Sequence, residues 1–205
     1  MSLPAAAWRE RVEFERRLVH AGGTLYPVPY LLGWLTWGET RVFLGIALAV
    51  VFALEFLRLV VGLDHAVYRA LTREYEADAL AGYALYQVSM TGAVLLFDPT
   101  LAIPAMWMLS VGDPVSGALA DNEATEAKRP AAWIAMALVC FGLAVPFTIP
   151  AFGPNAGVVV AVAGAVPAAV ADGIPPIIRG IPVDDNLTIP PAAAGGMLLA
   201  IALVG

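Results

Sequence analysis

The chain has 205 residues, of which 60% are hydrophobic and only 14% charged, with a net charge of -6. A soluble domain averages about 45–50% apolar and about 25% charged, so this composition excludes an ordinary soluble enzyme and leaves no room for a separate soluble domain. The single cysteine, Cys140, excludes an internal disulfide and any cysteine-built metal site. Ten of the eleven basic residues are Arg, and Lys128 is the one Lys. An acid-rich, lysine-poor surface suits a high-salt cytoplasm, where hydrated carboxylates aid solubility. A halophile, archaeal-type source fits, and so does a GC-rich genome.

The N-terminal stretch is polar and Arg-bearing, with no small-residue cleavage signal, so a removable signal peptide is not expected. Residues 1–20 are expected on the cytosolic side, with Trp8 to Val19 as an amphipathic interfacial helix. Glu13, Arg16 or Arg17, and His20 are spaced to share one face of that helix. Such a face would point Arg at phosphate and offer His as a proton acceptor. Its plainer reading is a surface Glu–Arg pair with His at headgroup level.

Beyond it, seven segments are apolar enough to be read as spans, at 21–37, 41–63, 80–97, 100–120, 131–151, 156–174 and 187–204. A helix crossing the ~30 Å hydrocarbon core needs about 20 such residues. The expected fold class is therefore all-α, a single polytopic membrane helix bundle over residues 1–205. Positive charge sets its orientation. With a cytosolic N-terminus, ten basic residues lie on the cytosolic side and only Arg41 lies outside. Trp34 and Trp37 then fall in the outer aromatic belt. A multi-pass protein of the plasma membrane is expected, with its polar chemistry facing the cytosol.

Ionisable groups at membrane depth are costly and so are functional candidates. Glu55, in the second span, is expected about 12 Å below the cytosolic end at 1.5 Å per residue. Asp113, in the fourth, is expected about 10 Å deep by the same rise. Asp172 closes the sixth span, so three acids on three spans converge on one layer. Glu55 has an ordinary partner in Arg58 at i,i+3, whereas Asp113 has none nearby in sequence. The Gly112-Asp113-Pro114 run should break its helix, a feature tolerated where freed backbone faces protein or a polar cavity. A Pro kink with a capping Asp is the plainer alternative.

The last loop carries Asp184, Asp185 and Asn186 between two apolar segments. Adjacent carboxylates and an amide suit Mg²⁺, which takes oxygen ligands and keeps substrate phosphates in its shell. The same residues could instead cap the last helix, or one could cap while another binds metal. His65 has no partner in sight and is read as surface.

Together these motifs resemble the CTP-dependent polyprenol kinase family, which includes dolichol kinase, phytol kinase and the CTP-using diacylglycerol kinase of yeasts. The resemblance covers most of the chain, in the family's order. Its opening Glu-x-x-Arg-Lys/Arg-x-x-His is similar to Glu13-Phe-Glu-Arg16-Arg17-Leu-Val-His20, and its Glu-x-x-Arg to Glu55-Phe-Leu-Arg58. Its acidic residue before a Gly-containing span is similar to Glu76 with Gly82, its Gly-Asp to Gly112-Asp113, and its closing Asp-Asn-Leu-x-Ile-Pro to residues 185–190. Residues 118–130 depart from the family's Gly-rich, Lys-containing stretch, being acidic and poor in glycine, and Asp172 stands where a Glu is common.

The resemblance implies transfer of the γ-phosphoryl group of CTP to the hydroxyl of an isoprenoid alcohol held in the bilayer. It implies Mg²⁺ on Asp113, Asp184 and Asp185, with Asn186 orienting a phosphate or metal-bound water. Arg16, Arg17, Lys128 and Arg129 would neutralise the triphosphate. His20 or Asp172 would take the hydroxyl proton, and Glu13, Glu55 and Gly112 would support the site. Membrane lipids, CTP and the alcohol are the expected partners. A homodimer is compatible with this reading, and a nucleic-acid partner is not expected. The alternatives are a CTP-dependent lipid-phosphate cytidylyltransferase, a small ion-coupled transporter, and a divergent member that has lost nucleotide binding.

Overall fold

The computed structural model describes residues 19–72, 76–120, 127–174, 177–178 and 181–204. The expected interfacial helix, with Glu13, Arg16 and Arg17, lies outside the described residues. Helical turns over 19–25 lead to a short α1 (Val28–Leu31) and then to the long α2 (Trp37–Leu59). A six-residue α3 (Ala66–Leu71) precedes α4 (Gly82–Leu96). Next, α5 (Pro99–Trp107) continues through a π-helical turn (Met108–Gly112) into α6 (Asp113–Leu119). Two long helices follow, α7 (Pro130–Phe152) and α8 (Pro154–Gly173). A minimal antiparallel pair, β1 (Ile177–Ile178) with β2 (Ile181–Pro182), leads into α9 (Asp185–Val204).

The architecture is helical, and four of its helices, α2, α7, α8 and α9, are long and apolar enough to cross a membrane. Their bounds sit within a few residues of the expected spans. The expected span at 21–37 is not one helix. Pro27 and Pro29 remove backbone donors, and Gly33 turns the chain with φ +72°. This broken segment is tied to its neighbours by polar side chains. Tyr86 Oη donates to His20 O at 2.9 Å, Trp107 Nε1 to Thr24 O at 3.1 Å, and Tyr26 Oη to Gln87 Oε1 at 2.7 Å.

α2 starts on a capping box. Thr36 Oγ1 accepts from Glu39 N at 3.2 Å, while the Glu39 carboxylate accepts from Thr36 N at 2.7 Å. Much of α2 faces outward, with Val42, Ile46, Val50 and Phe56 exposed. An apolar face of that extent is expected against lipid and not against water. The most extensive packing joins α7, α8 and α9. Small residues permit it: a Cβ on Gly157 of α8 would lie 2.6 Å from Ile149 Cα of α7, and one on Gly196 of α9 would collide with Ala163 O of α8. Met90, Ile103, Met106, Leu109, Met136, Ile189 and Met197 fill the core between these helices and α4–α5.

A buried clasp ties α2 to the entry of α4. Arg58 binds the Glu55 carboxylate through two hydrogen bonds, Nε to Oε1 at 2.9 Å and Nη2 to Oε2 at 2.7 Å. Its guanidinium also donates to the carbonyls of Glu76 (3.0 Å), Ala77 (3.3 Å) and Ala79 (2.6 Å). Glu55 accepts further bonds from Ala81 N at 3.1 Å and from the Tyr83 hydroxyl. The Glu76 carboxylate accepts from Gly82 N at 3.1 Å. These bonds satisfy the backbone where an irregular segment becomes a helix, which buried polar groups require.

Arg58→Ala should leave Glu55 buried without its cation. We expect a loss of about 3–5 kcal/mol, read as a lower unfolding temperature of the detergent-purified protein. Arg58→Lys should recover only part of it, because one ammonium cannot reproduce the planar fork. Unchanged unfolding in both variants would refute the clasp.

Candidate functional site

Three acids arrive from three separate elements. Asp113 opens α6, Asp172 lies one residue from the end of α8, and Asp185 is the first residue of α9. One carboxylate oxygen from each lies within 4.8 Å of the others. The local sequence places each one. The π turn at Met108–Gly112 inserts an extra residue into the ladder just ahead of Asp113 and Pro114. Gly112 lets that turn lie flat on α7, since a Cβ there would sit 2.8 Å from Met136 Sδ and 3.1 Å from Cys140 Sγ.

Lys128 is the cation of the cluster. Its backbone N donates to Gly173 O at 3.0 Å, which ties the start of the α7 segment to the end of α8. Its Nζ then lies 2.6 Å from Asp172 Oδ1, 3.3 Å from Ser116 Oγ and 3.6 Å from Asp113 Oδ1. Burial works against the ammonium charge, but the Asp113 and Asp172 carboxylates outweigh it and hold its pKa above the ordinary lysine value. Ser116 Oγ donates to the other Asp172 oxygen, Oδ2, at 2.5 Å. On the opposite side, His20 Nδ1 lies 3.3 Å from Asp113 Oδ2, and its ring packs at 4.6 Å on Tyr86.

The two neighbouring acids of the last loop divide their work. Asp184 Oδ1 accepts from Asn186 N at 2.9 Å, the bond of an N-cap residue. It is Asp185, one residue on, that joins Asp113 and Asp172. The metal set expected from the sequence was Asp113, Asp184 and Asp185; the geometry groups Asp172 with Asp113 and Asp185 and leaves Asp184 as the cap. Asn186 is buried, and its Oδ1 has no hydrogen-bond partner among the described residues. Its carbonyl oxygen accepts from Ser89 Oγ at 2.5 Å.

Other residues that stood out in the sequence lie elsewhere, among them the expected site residues Glu55 and Arg129. Glu55 and Glu76 belong to the α2–α4 clasp. Arg129 donates to Leu119 O at 3.1 Å and closes the end of α6. His65 caps α3 by accepting from Val67 N at 3.2 Å. Ser116 and Ser89 escaped the sequence reading. Ser116 carried a usable signal, since it sits at i+3 from Asp113 and so shares its helix face; Ser89 carried none.

The donor set fits a hard divalent cation. Three carboxylates converge from three helices, and such oxygen donors suit it. Asp113→Asn and Asp185→Asn should each remove a Mn²⁺ site, followed by electron paramagnetic resonance on the purified protein, while the protein still inserts. Asp184→Ala should instead cost about 1 kcal/mol of stability and keep Mn²⁺ binding; loss of the ion there would return Asp184 to the ligand set. A scan against protein-family models and searches of curated proteins and of solved structures found no match for this chain.

Proposed function

We propose that the chain is a membrane kinase that transfers the γ-phosphoryl group of CTP to the hydroxyl of an isoprenoid alcohol. The observation that carries this is the meeting of Asp113, Asp172 and Asp185 with Lys128 and His20. Phosphoryl transfer asks mainly for positioning and neutralisation of charge. The cluster supplies acids for a metal, a fixed ammonium for phosphate oxygens, and an imidazole for a proton.

A bound Mg²⁺ would neutralise charge on the phosphates. Asp113, Asp172 and Asp185 would hold it, and the unpartnered Asn186 Oδ1 would fix a water or a ligand at its edge. Lys128 would face the transferring phosphate, where an ammonium offsets developing charge. With Nδ1 of His20 directed at Asp113, Nε2 is the nitrogen left to accept the proton of the alcohol. The choice of CTP and of an isoprenoid alcohol rests on the resemblance of the motifs at Glu13 to His20, Gly112-Asp113 and Asp185 to Pro190.

The same reading proposes seven crossings. To the four long helices it adds α4, the α5–α6 run and the broken segment from His20 to Thr36. The N-terminus and the acid cluster then face the cytosol, where nucleotide is available, because nearly all positive charge lies on that side.

The test is incubation of purified protein with Mg²⁺, a C20 and a longer polyprenol, and γ-³²P-labelled CTP, with labelled ATP in parallel. We expect label in the lipid from CTP, lost in Asp113→Asn and Asp185→Asn. His20→Gln should lower kcat by about 10²–10⁴-fold and leave Mn²⁺ binding intact. Pyrophosphate release with a lipid phosphate, and no label in any alcohol, would replace the kinase with a cytidylyltransferase. Silence in both assays would sink nucleotide chemistry and favour transport.

A further inference from the structure

A cleft of about 130 Å³ lies between α2, α3 and α4, walled by Val51 and Leu54, by Val67 and Leu71, and by Tyr83 and Tyr86. A narrower recess beside it shares Val19, Leu71 and Tyr83 with the cleft and is also lined by His20. His20 is the residue whose Nδ1 faces Asp113. His20 thus stands between the recess and the acid cluster.

The walls fit a hydrocarbon chain. Four tyrosines line the cleft, and the hydroxyls of three are engaged by the protein: Tyr83 to Glu55, Tyr86 to His20 O, and Tyr26 to Gln87. Gln87 in turn donates to Thr91 at 3.1 Å. These three phenols thus offer ring carbon to the cleft and keep their polar ends out of it. An apolar wall with satisfied polar edges does not hold ordered water well, since a water needs two to four polar partners.

Its size and mouth fix the kind of occupant. Sites that enclose a drug-sized ligand run to about 300–1,000 Å³, so this cleft holds only part of a long chain. Leu54 and Val67 at its edge are 40% and 54% exposed. Leu54 belongs to α2, the helix with the largest outward apolar face. A chain rooted in the bilayer can enter beside α2 without leaving lipid.

We propose that this cleft receives the head-proximal part of the apolar chain of a membrane alcohol and delivers its hydroxyl to His20. The identity of the headgroup rests on the kinase reading; the cleft does not. Chain beyond the first few carbons stays in the bilayer, so the cleft selects for an apolar segment next to the hydroxyl and tolerates different total lengths.

The experiment uses the full chain in lipid nanodiscs and a C20 isoprenoid alcohol with a diazirine on the unit nearest the hydroxyl. After illumination, we expect label on the α2, α3 and α4 walls, protected by unmodified C20 alcohol and not by phosphatidylglycerol. Leu54→Trp, which fills the cleft, should cut that labelling at least tenfold and leave Mn²⁺ binding unchanged. Leu138→Trp, on the outward face of α7, should leave labelling as it was. Label spread over outward helix faces, or equal protection by phospholipid, overturns the cleft. Phosphoryl transfer with label elsewhere overturns the cleft alone. Protected cleft labelling without transfer from any nucleotide supports the cleft and sinks the kinase.

Discussion

Three carboxylates held within 4.8 Å of one another are the constraint on which the rest of this structure depends. Like charges that close repel by several kcal/mol in a partly desolvated setting, on the order of 4 kcal/mol per pair at 4 Å and an effective dielectric of 20. Lys128 and His20 offset part of that repulsion, and each acid sits on an element that packing also fixes. Gly112 presses the π turn onto Met136 and Cys140 of α7, and the backbone of Lys128 is bonded to Gly173 at the end of α8. Small residues lock α9 against α8. Packing thus helps to hold the three acids together.

That division of labour explains where small residues and charged residues fall. In α8, a run of Ala, Val and Gly gives close backbone approach on both sides, and one face of it ends in Asp172. On the far side of the molecule, α2 has bulky outward side chains and little close packing along its length. There a polar device, the Glu55–Arg58 pair with its backbone carbonyls, fixes the approach to α4. One half of the molecule is held by shape and the other by a buried ion pair. Arg58→Ala and a bulky residue at Gly196 would therefore fail for different physical reasons.

The sequence was most legible where one property decided the outcome. Hydropathy alone placed α2, α7, α8 and α9, since a long apolar run has few other fates. At 21–37 it found the apolar run but not its shape, because Pro27, Pro29 and Gly33 prevent one continuous helix. Depth arithmetic drew Glu55, Asp113 and Asp172 to one layer; Asp113 and Asp172 do meet, whereas Glu55 is buried in the α2–α4 clasp, where its partners Ala81 and Tyr83 come from the far side of a turn. The roles of Asp184 and Asp185 depend on the residue at which α9 begins, a boundary finer than pattern reading resolves. Asp172 was read as a base because the family-like motif drew the metal to the last loop. Its meeting with Asp113 and Asp185 follows from the end of α8, which only tertiary packing reveals.

Helix ends also account for which acid takes which partner. Asp185 opens α9, where the partial positive charge of the first turn favours a carboxylate. Asp172 stands at the opposite kind of terminus, one residue before the end of α8, where unpaired carbonyls disfavour it. Two devices offset that: Lys128 Nζ at 2.6 Å on one oxygen and Ser116 Oγ at 2.5 Å on the other. Asp113 receives less from the dipole, because α6 is continuous with the π turn before it, and it is flanked by His20 on one oxygen and by Lys128 at 3.6 Å on the other. The ammonium thus leans toward the acid that the backbone field helps least. A divalent ion entering the cluster would relieve that need, because it supplies twice the charge to the same oxygens. On the proposed kinase reading, Lys128 would then be free to turn its donors from Asp172 to an incoming phosphate.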